Sequence, residues 1–279
     1  MKPLELGQLP SPLMLFGGPY SNLQATTALI RESQRLGIPP GQVICTGDIV
    51  AYCGNPEETV SLVRDWGCHI VMGNCEESLA FDKPDCGCGF DEGSVCAELS
   101  VDWYNLAAEQ VSSENKLWMR GLPRQINFKL DHKNFAVIHG STENISEFVF
   151  DTSCQDKKNG NIDKLQVDCV IGGHSGIPFG QAVNKHYWLN PGVIGMPAND
   201  GTSSTWYMLL QIVDETIRAS WHKHHFDTRE AVRAMAAKGL PAGYQATLET
   251  GLWPSMSVLP DDNARRQGIA LDPPLLLIG

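Results

Sequence analysis

The sequence predicts an α/β protein in which two mixed β-sheets form a sandwich flanked by helices. Over the first 75 residues, short apolar runs that end in glycine alternate with amphipathic segments. This alternation is typical of β-α-β units with parallel strands and right-handed crossovers. Between residues 124 and 213, strand-like apolar runs outnumber helical patterns, which indicates a second sheet. A chain of 279 residues with 42% hydrophobic residues is large enough to bury such a core.

The first half of the chain sets up the parallel part of the sandwich. A glycine-bounded apolar run favours a buried strand, and a polar capping residue before an apolar periodicity favours a helix start. Ser21 is the expected N-cap of the first helix. On these grounds we expect strands at residues 12–17, 43–47 and 69–73, and helices at 22–35 and 56–66.

The second half is predicted to hold the remaining strands and a tail. A loop is expected at 81–100, a helical stretch at 100–120, and strands at 124–130, 135–139, 169–173, 186–189 and 206–213. A helix at 229–238 precedes a proline-rich segment. We therefore predict one domain over residues 12–226, with a cysteine-rich insert at 81–100. Residues 227–279 are expected to form a helix and an irregular tail packed on that domain.

Composition and charge limit the possible partners. The formal net charge is −11 and the pI is about 5.1, so the average surface would repel a nucleic-acid backbone. No run of eighteen apolar residues is present, and the N-terminus lacks the core of a signal peptide. The expectation is a soluble cytoplasmic protein that binds neither nucleic acid nor a membrane. The sequence leaves the oligomeric state open.

Nine cysteines occur in the chain, and three of them lie close together in the predicted insert: Cys86, Cys88 and Cys96. Their spacing, C-x-C followed by seven residues and a third cysteine, matches no common zinc or ferredoxin signature. A loop with unpaired or reversibly oxidised thiols is the favoured interpretation. A structural or redox site built from these thiols is the alternative.

Four polar clusters follow directly after predicted strands. They are Gly47-Asp48, Gly73-Asn74-Cys75-Glu76, His139-Gly140 and Gly172-Gly173-His174. Ligands of open α/β sheets bind beyond the carboxyl ends of the strands. Carboxylate and amide oxygens together with imidazole nitrogens are suitable ligands for Zn, Mn or Fe. A single Asp or His beside glycine is more often a turn residue, but four such clusters in this context indicate a metal site.

Taken in order, these clusters resemble the motifs of calcineurin-like metallophosphoesterases. The segment from Asn190 to Pro197, Asn-Pro-Gly-Val-Ile-Gly-Met-Pro, is similar to the Asn-Pro-Gly segment of the small bacterial phosphodiesterase branch. That branch also often has cysteine after the asparagine of the third motif, as Cys75 follows Asn74 here. The resemblance covers about residues 12–213 and implies the calcineurin-like α/β/β/α sandwich and the hydrolysis of phosphate esters.

Two motifs depart from the family pattern. The family opens with Asp-x-His-Gly-Asn, but residues 18–22 here are Gly-Pro-Tyr-Ser-Asn, so that Gly18 and Tyr20 stand at the Asp and His positions. The family's Gly-His-x-His is here Gly173-His174-Ser175-Gly176, without the second His. Every ligand that the family uses only for its first metal is therefore absent.

The resemblance implies that the ligands of the second metal are all retained: Asp48, Asn74, His139 and His174. We therefore predict a mononuclear site for one divalent ion of Mn, Fe or Zn, acting on a small phosphorylated substrate by phosphomonoester or phosphodiester hydrolysis. Tyr20 and Cys75 are candidate catalytic residues, and Tyr20 and Asn22 are candidate substrate contacts. Tyr20 and Cys75 each have a plain alternative: packing for Tyr20, and a buried spectator thiol for Cys75. The alternative function is a non-catalytic metal- or phosphate-binding protein, or a thiol-redox protein, derived from a phosphoesterase.

Overall fold

The computed structural model describes residues 2–279, which form two six-stranded mixed sheets with helices on their outer faces. The strands are β1 (Leu4–Gln8), β2 (Leu13–Phe16), β3 (Val43–Cys45), β4 (His69–Ile70), β5 (Gln125–Leu130), β6 (Lys133–Ile138), β7 (Cys169–Ile171), β8 (Phe179–Val183), β9 (His186–Asn190), β10 (Thr205–Val213), β11 (Thr216–His224) and β12 (Leu276–Ile278). The helices are α1 (Leu23–Arg35), α2 (Pro56–Trp66), α3 (Asn74–Ala80), α4 (Val95–Gln110), α5 (Ser113–Arg120), α6 (Gln155–Leu165), α7 (Thr228–Ala237), α8 (Ala242–Thr250) and α9 (Asp261–Ala264).

The two sheets have the orders β12-β11-β10-β2-β3-β4 and β1-β5-β6-β7-β9-β8. In the first sheet, β2, β3 and β4 are parallel and β10 runs antiparallel to β2. In the second sheet, β6, β7 and β9 are parallel and β5 is antiparallel to β6. The predicted sandwich of two mixed sheets flanked by helices is confirmed.

Strand β2 shows how the sequence builds the layers. Successive side chains of a strand point to opposite faces of the sheet. Leu13 and Leu15 pack in the core between the two sheets, while Met14 and Phe16 pack against the helices of the outer layer. All four are fully buried, which explains why this strand reads as a continuous apolar run and not as an alternating pattern.

Helix starts and ends follow local chemistry. Helix α1 is capped by Asn22, whose Oδ1 accepts from the Ala25 N–H at 3.0 Å, and not by Ser21 as predicted. Helix α2 has Pro56 at its first position and ends at Gly67, whose φ of +75° suits a left-handed C-cap. The predicted helix at 100–120 is two helices, α4 and α5, with α4 beginning inside the expected loop.

The two ends of the chain are more ordered than the sequence suggested. Strand β1 pairs with β5, which places residues before 12 in the second sheet. Beyond α7, the tail forms α8 and α9, and β12 pairs with β11. The tail is thus partly regular structure integrated into the sandwich.

Within residues 2–279, the structure contains no helix that is both long and apolar enough to cross a membrane.

Candidate metal centre

Four side chains meet where the carboxyl ends of strands from both sheets come together. Asp48 lies in the loop after β3, and Asn74 is the first residue of α3, which follows β4. His139 comes directly after β6, and His174 lies in the turn after β7. Each of the four is at least 92% buried. Four segments that follow strands of the two sheets therefore converge on one buried point.

The distances between the facing atoms are those of a small coordination site. His139 Nε2 lies 3.0 Å from Asn74 Oδ1, 3.0 Å from His174 Nδ1 and 3.2 Å from Asp48 Oδ2. His174 Nδ1 lies 3.9 Å from Asp48 Oδ2. Tetrahedral ligands at about 2.1 Å from an ion are separated by about 3.4 Å. Asp48, His139 and His174 alone already form a group able to hold a metal ion.

Backbone carbonyls set the tautomers of both histidines. His139 Nδ1 lies 2.7 Å from the Thr46 carbonyl oxygen, and His174 Nε2 lies 3.2 Å from the Cys88 carbonyl oxygen. A carbonyl only accepts, so these nitrogens carry the protons and His139 Nε2 and His174 Nδ1 present lone pairs when the rings are neutral. Together with Asn74 Oδ1 and the carboxylate of Asp48, they form a buried group of acceptors that requires a cation or a proton. The residues therefore fit a divalent ion.

The electrostatics of the site favour positive charge at its centre. Burial opposes ionisation of Asp48, but His139 and His174 outweigh it and hold the pKa of this carboxyl below its ordinary value. Burial also opposes charge on His139, yet the attraction of Asp48 raises its pKa. Burial, aided by the charge of His139, lowers the pKa of His174 despite its contact with Asp48. The lowered pKa keeps the His174 ring neutral and able to act as a ligand.

Glu76 holds the Asp48 loop in place. Its Oε2 accepts from the N–H groups of Asp48 at 2.8 Å and Gly73 at 2.9 Å, and its Oε1 accepts from Ile49 N–H at 2.7 Å. Asp48 has a φ of +57°, an uncommon conformation for a residue with a side chain, so its loop needs such support. Burial and the neighbouring Asp48 raise the pKa of Glu76 to about 7. Glu76 therefore caps the start of α3 and links this helix to the loop that carries Asp48.

A glycine permits the close approach of these loops. Gly47 has a φ of +99°, and a Cβ there would stand 2.7 Å from the Gly73 nitrogen and 2.9 Å from His139 Nδ1. Any side chain at this position would push apart the loops that supply Asp48, Asn74 and His139.

Tyr20 fills the space beside Gly18 and Gly176, the two glycines at positions where the family has metal ligands. A Cβ on Gly18 would stand 2.5 Å from Tyr20 Cζ, and one on Gly176 would stand 3.5 Å from the Tyr20 hydroxyl oxygen. The three departures from the motifs are thus neighbours in space. Burial, followed by the charge of Asp48, raises the pKa of Tyr20 well above its usual value, so its hydroxyl stays a hydrogen-bond donor.

The remaining predicted residues do not face an open space. Asn22 is fully buried, and its Nδ2 donates to the Gly195 carbonyl while its Oδ1 caps α1. Cys75 is 1% exposed, and burial and the charge of Asp48 raise its thiol pKa. Neither residue is among those that line the pocket described below. Asn22 caps α1, and Cys75 is a buried thiol beside Asp48.

The cysteine-rich insert covers one side of the centre. Cys86 and Cys88 are joined by a disulfide, whereas Cys96 is a buried free thiol. Asn74 Nδ2 donates to the Cys86 carbonyl oxygen at 2.9 Å, which leaves Asn74 Oδ1 to face the site. Because the Cys88 carbonyl orients His174, this loop positions two of the four predicted ligands.

A small, partly enclosed pocket of about 80 Å³ adjoins the centre. Asp48 and His174 lie at its inner end, together with Tyr20. Its outer wall is formed by the C-terminal tail, including Tyr244 and Trp253. Sequence reasoning missed these two residues, because no local pattern indicates that the tail reaches the ends of β3 and β7.

Comparison with known proteins agrees with this geometry. The family model of the calcineurin-like phosphoesterase superfamily domain matches residues 21–215. The chain belongs to the calcineurin-like phosphoesterase superfamily. This match covers most of the chain and confirms the resemblance inferred from the motifs.

One sequence relative and two solved structures are similar to this chain, and the two structures share its fold. The chain is 26% identical over 239 residues to the uncharacterized protein MJ0912 of Methanocaldococcus jannaschii, covering 80% of this chain and 90% of that protein. It is similar in structure to a metallophosphoesterase from Sphaerobacter thermophilus, with a TM-score of 0.68 and 20% identity over 86% of this chain and 99% of the other. It is also similar to the hypothetical protein PH1004 from Pyrococcus horikoshii, with a TM-score of 0.71 and 16% identity over 87% and 99% of the two chains.

Proposed function

We propose that this protein hydrolyses a small phosphomonoester or phosphodiester with one divalent ion bound by Asp48, Asn74, His139 and His174. The observation that carries the proposal is the set of four buried acceptor atoms from four loops, oriented by protein groups behind them. A divalent ion supplies Lewis-acid stabilisation of phosphoryl charge and makes water more acidic. Mn, Fe and Zn are all compatible with this mixture of oxygen and nitrogen ligands.

The space next to these ligands supports a count of one ion. Where two-metal enzymes of this superfamily need a second set of ligands, this chain has Gly18, Gly176 and the ring of Tyr20. An aromatic ring offers no ligand atom for a hard or borderline cation in that volume. Tyr20 instead presents a neutral hydroxyl at the inner end of the pocket. We infer that it donates a hydrogen bond to a phosphoryl oxygen and stabilises charge that develops there.

The proposal is tested with purified protein supplied with Mn, Fe or Zn and assayed on p-nitrophenyl phosphate and bis(p-nitrophenyl) phosphate. Asp48→Asn and His139→Ala should abolish metal-dependent hydrolysis. His132→Ala is the matched control, because His132 is an exposed histidine that lies outside the site. Hydrolysis that survives in Asp48→Asn at the wild-type rate would exclude this centre as the active site.

A second candidate function is binding of metal or phosphate without turnover. The ring of Tyr20 favours this function, because it takes the place of the first-metal ligands. Without a first metal, two ions can no longer hold the attacking and leaving oxygens of the reaction. Stoichiometric metal binding with no hydrolysis of either aryl ester, under all three metals, would select this function. The Cys86–Cys88 pair favours a thiol-redox role, which thiol titration before and after reduction would reveal.

A further inference from the structure

The pocket beside the metal centre is built mainly from aromatic and apolar side chains. His174 at its inner end is covered by Phe148, whose ring centroid lies 4.2 Å from that of the imidazole. The rest of the lining includes Tyr52, Phe90, Met196, Tyr244 and Trp253, together with the hydroxyl groups of Thr247 and Ser255. An apolar lining of this kind is typical of sites that contact the apolar part of a small organic ligand.

These rings form a continuous wall from the metal centre to the tail. The Tyr20 ring centroid lies 4.8 Å from that of Tyr52 in an edge-to-face arrangement, and Tyr52 lies 4.7 Å from Tyr244. Aromatic pairs at these separations stabilise each other, so the wall is preformed before a ligand arrives.

Trp253 is fixed in the wall by the polar end of its indole. Its Nε1 donates to the Pro197 carbonyl oxygen at 2.7 Å, and its backbone N–H donates to Asn199 Oδ1 at 2.8 Å. The ring is half-buried, with part of its surface facing the pocket. The tail therefore contributes a rigid apolar surface rather than a loose flap.

The charge of the pocket limits the charge of its ligand. Among residues 2–279, no Lys or Arg lines it, and Asp48 is its one carboxylate. A divalent ion beside ionised Asp48 leaves a net charge of at most about +1 at the inner end, because Glu76, which bonds to the Asp48 backbone, is a second carboxyl group close by. One negative charge on a ligand would balance it, whereas further negative charges would lie unpaired against apolar walls at a high cost.

We propose that this pocket selects phosphoesters with a single negative charge and an aromatic or other apolar group on the phosphorus. This inference rests on the proposed function, since the metal centre holds the phosphoryl group. It predicts a preference for apolar phosphodiesters over nucleoside polyphosphates and over sugar phosphates.

Binding of stable analogues separates charge from apolar contact. Diphenylphosphinate and dimethylphosphinate carry the same single charge and contain no ester bond. Titration calorimetry on the metal-loaded protein should show diphenylphosphinate binding at least about ten-fold tighter, because burying one aryl group contributes that much. Dimethylphosphinate also serves as the reference for contact with the centre alone, because it carries one charge and very little apolar surface.

Variants test whether the aromatic wall causes the preference. Trp253→Ala should weaken diphenylphosphinate binding several-fold and leave dimethylphosphinate binding unchanged. Tyr244→Leu gives a second test should Trp253→Ala fail to fold, with the same expected result. Phe81→Ala is the matched control, because Phe81 is an aromatic residue that is 50% exposed and lies outside the pocket.

The outcomes distinguish failure of this inference from failure of the proposed function. Equal affinity for the two phosphinates, with metal still bound, would overturn the inference and leave the metal centre standing. Unchanged diphenylphosphinate affinity in both folded wall variants would do the same. A protein that binds neither metal nor either phosphinate would overturn both.

Discussion

Replacing Gly18 by alanine probes the packing that distinguishes this site from a two-metal centre. Gly18 has a φ of +42°, which costs a residue with a side chain about 1–2 kcal/mol. The new Cβ would also stand 2.5 Å from Tyr20 Cζ and 2.7 Å from Val193 Cγ1. Overpacking of this kind costs about 1–3 kcal/mol. Gly18→Ala should therefore lower the free energy of unfolding by about 2–5 kcal/mol.

Gly37→Ala provides the matched control for the backbone term. Gly37 also has a positive φ, +69°, but nothing lies within 4 Å of a Cβ built there. Gly37→Ala should lower the free energy of unfolding only by the backbone strain, about 1–2 kcal/mol. Urea unfolding followed by circular dichroism gives both values, provided that the slope of the transition stays constant.

A double-mutant cycle isolates the contribution of the ring. In a Tyr20→Ala background the closest contact of the new Cβ is gone, so Gly18→Ala should cost about 1 kcal/mol less than in the wild type. Two results would refute the reasoning. One is Gly18→Ala costing no more than Gly37→Ala; the other is additivity of Gly18→Ala and Tyr20→Ala within about 0.5 kcal/mol.

Two further predictions concern the groups behind the metal ligands. Glu76→Gln should weaken metal binding about ten-fold or more, because the amide N–H groups would face backbone N–H donors and loosen the Asp48 loop. Competition with a chelator measures the affinity, and an unchanged dissociation constant would count against this prediction. Reducing the Cys86–Cys88 disulfide with a phosphine should also weaken metal binding, because the carbonyl groups of this loop orient Asn74 and His174. A metal affinity that is the same before and after reduction would rule this out.

The sequence predicted the strands that position the site, because each is a short apolar run closed by glycine. Asp48, Asn74, His139 and His174 could be found from this pattern together with the order of the motifs. Strand β1 escaped notice because it is mostly exposed, and β12 because it is three residues long and sits in a proline-rich tail. Such edge strands are held by their neighbours and not by a local pattern.

The parts of the site that the sequence did not reveal depend on contacts between distant segments. The position of the Tyr20 ring depends on the absence of a side chain at Gly18, which a linear motif shows only as a loss. The wall contributed by Tyr244 and Trp253 depends on how the tail folds back over the sandwich. Helix α8 was missed because prolines and glycines flank it, although Gly251 is its left-handed C-cap.

The most direct test of a mononuclear centre is the metal content of protein purified without oxygen, measured by mass spectrometry of the elements and expressed per chain. The account predicts one ion of Mn, Fe or Zn per chain in the wild type and near zero in Asp48→Asn. A content close to two ions per chain, or one that Asp48→Asn leaves unchanged, would contradict it.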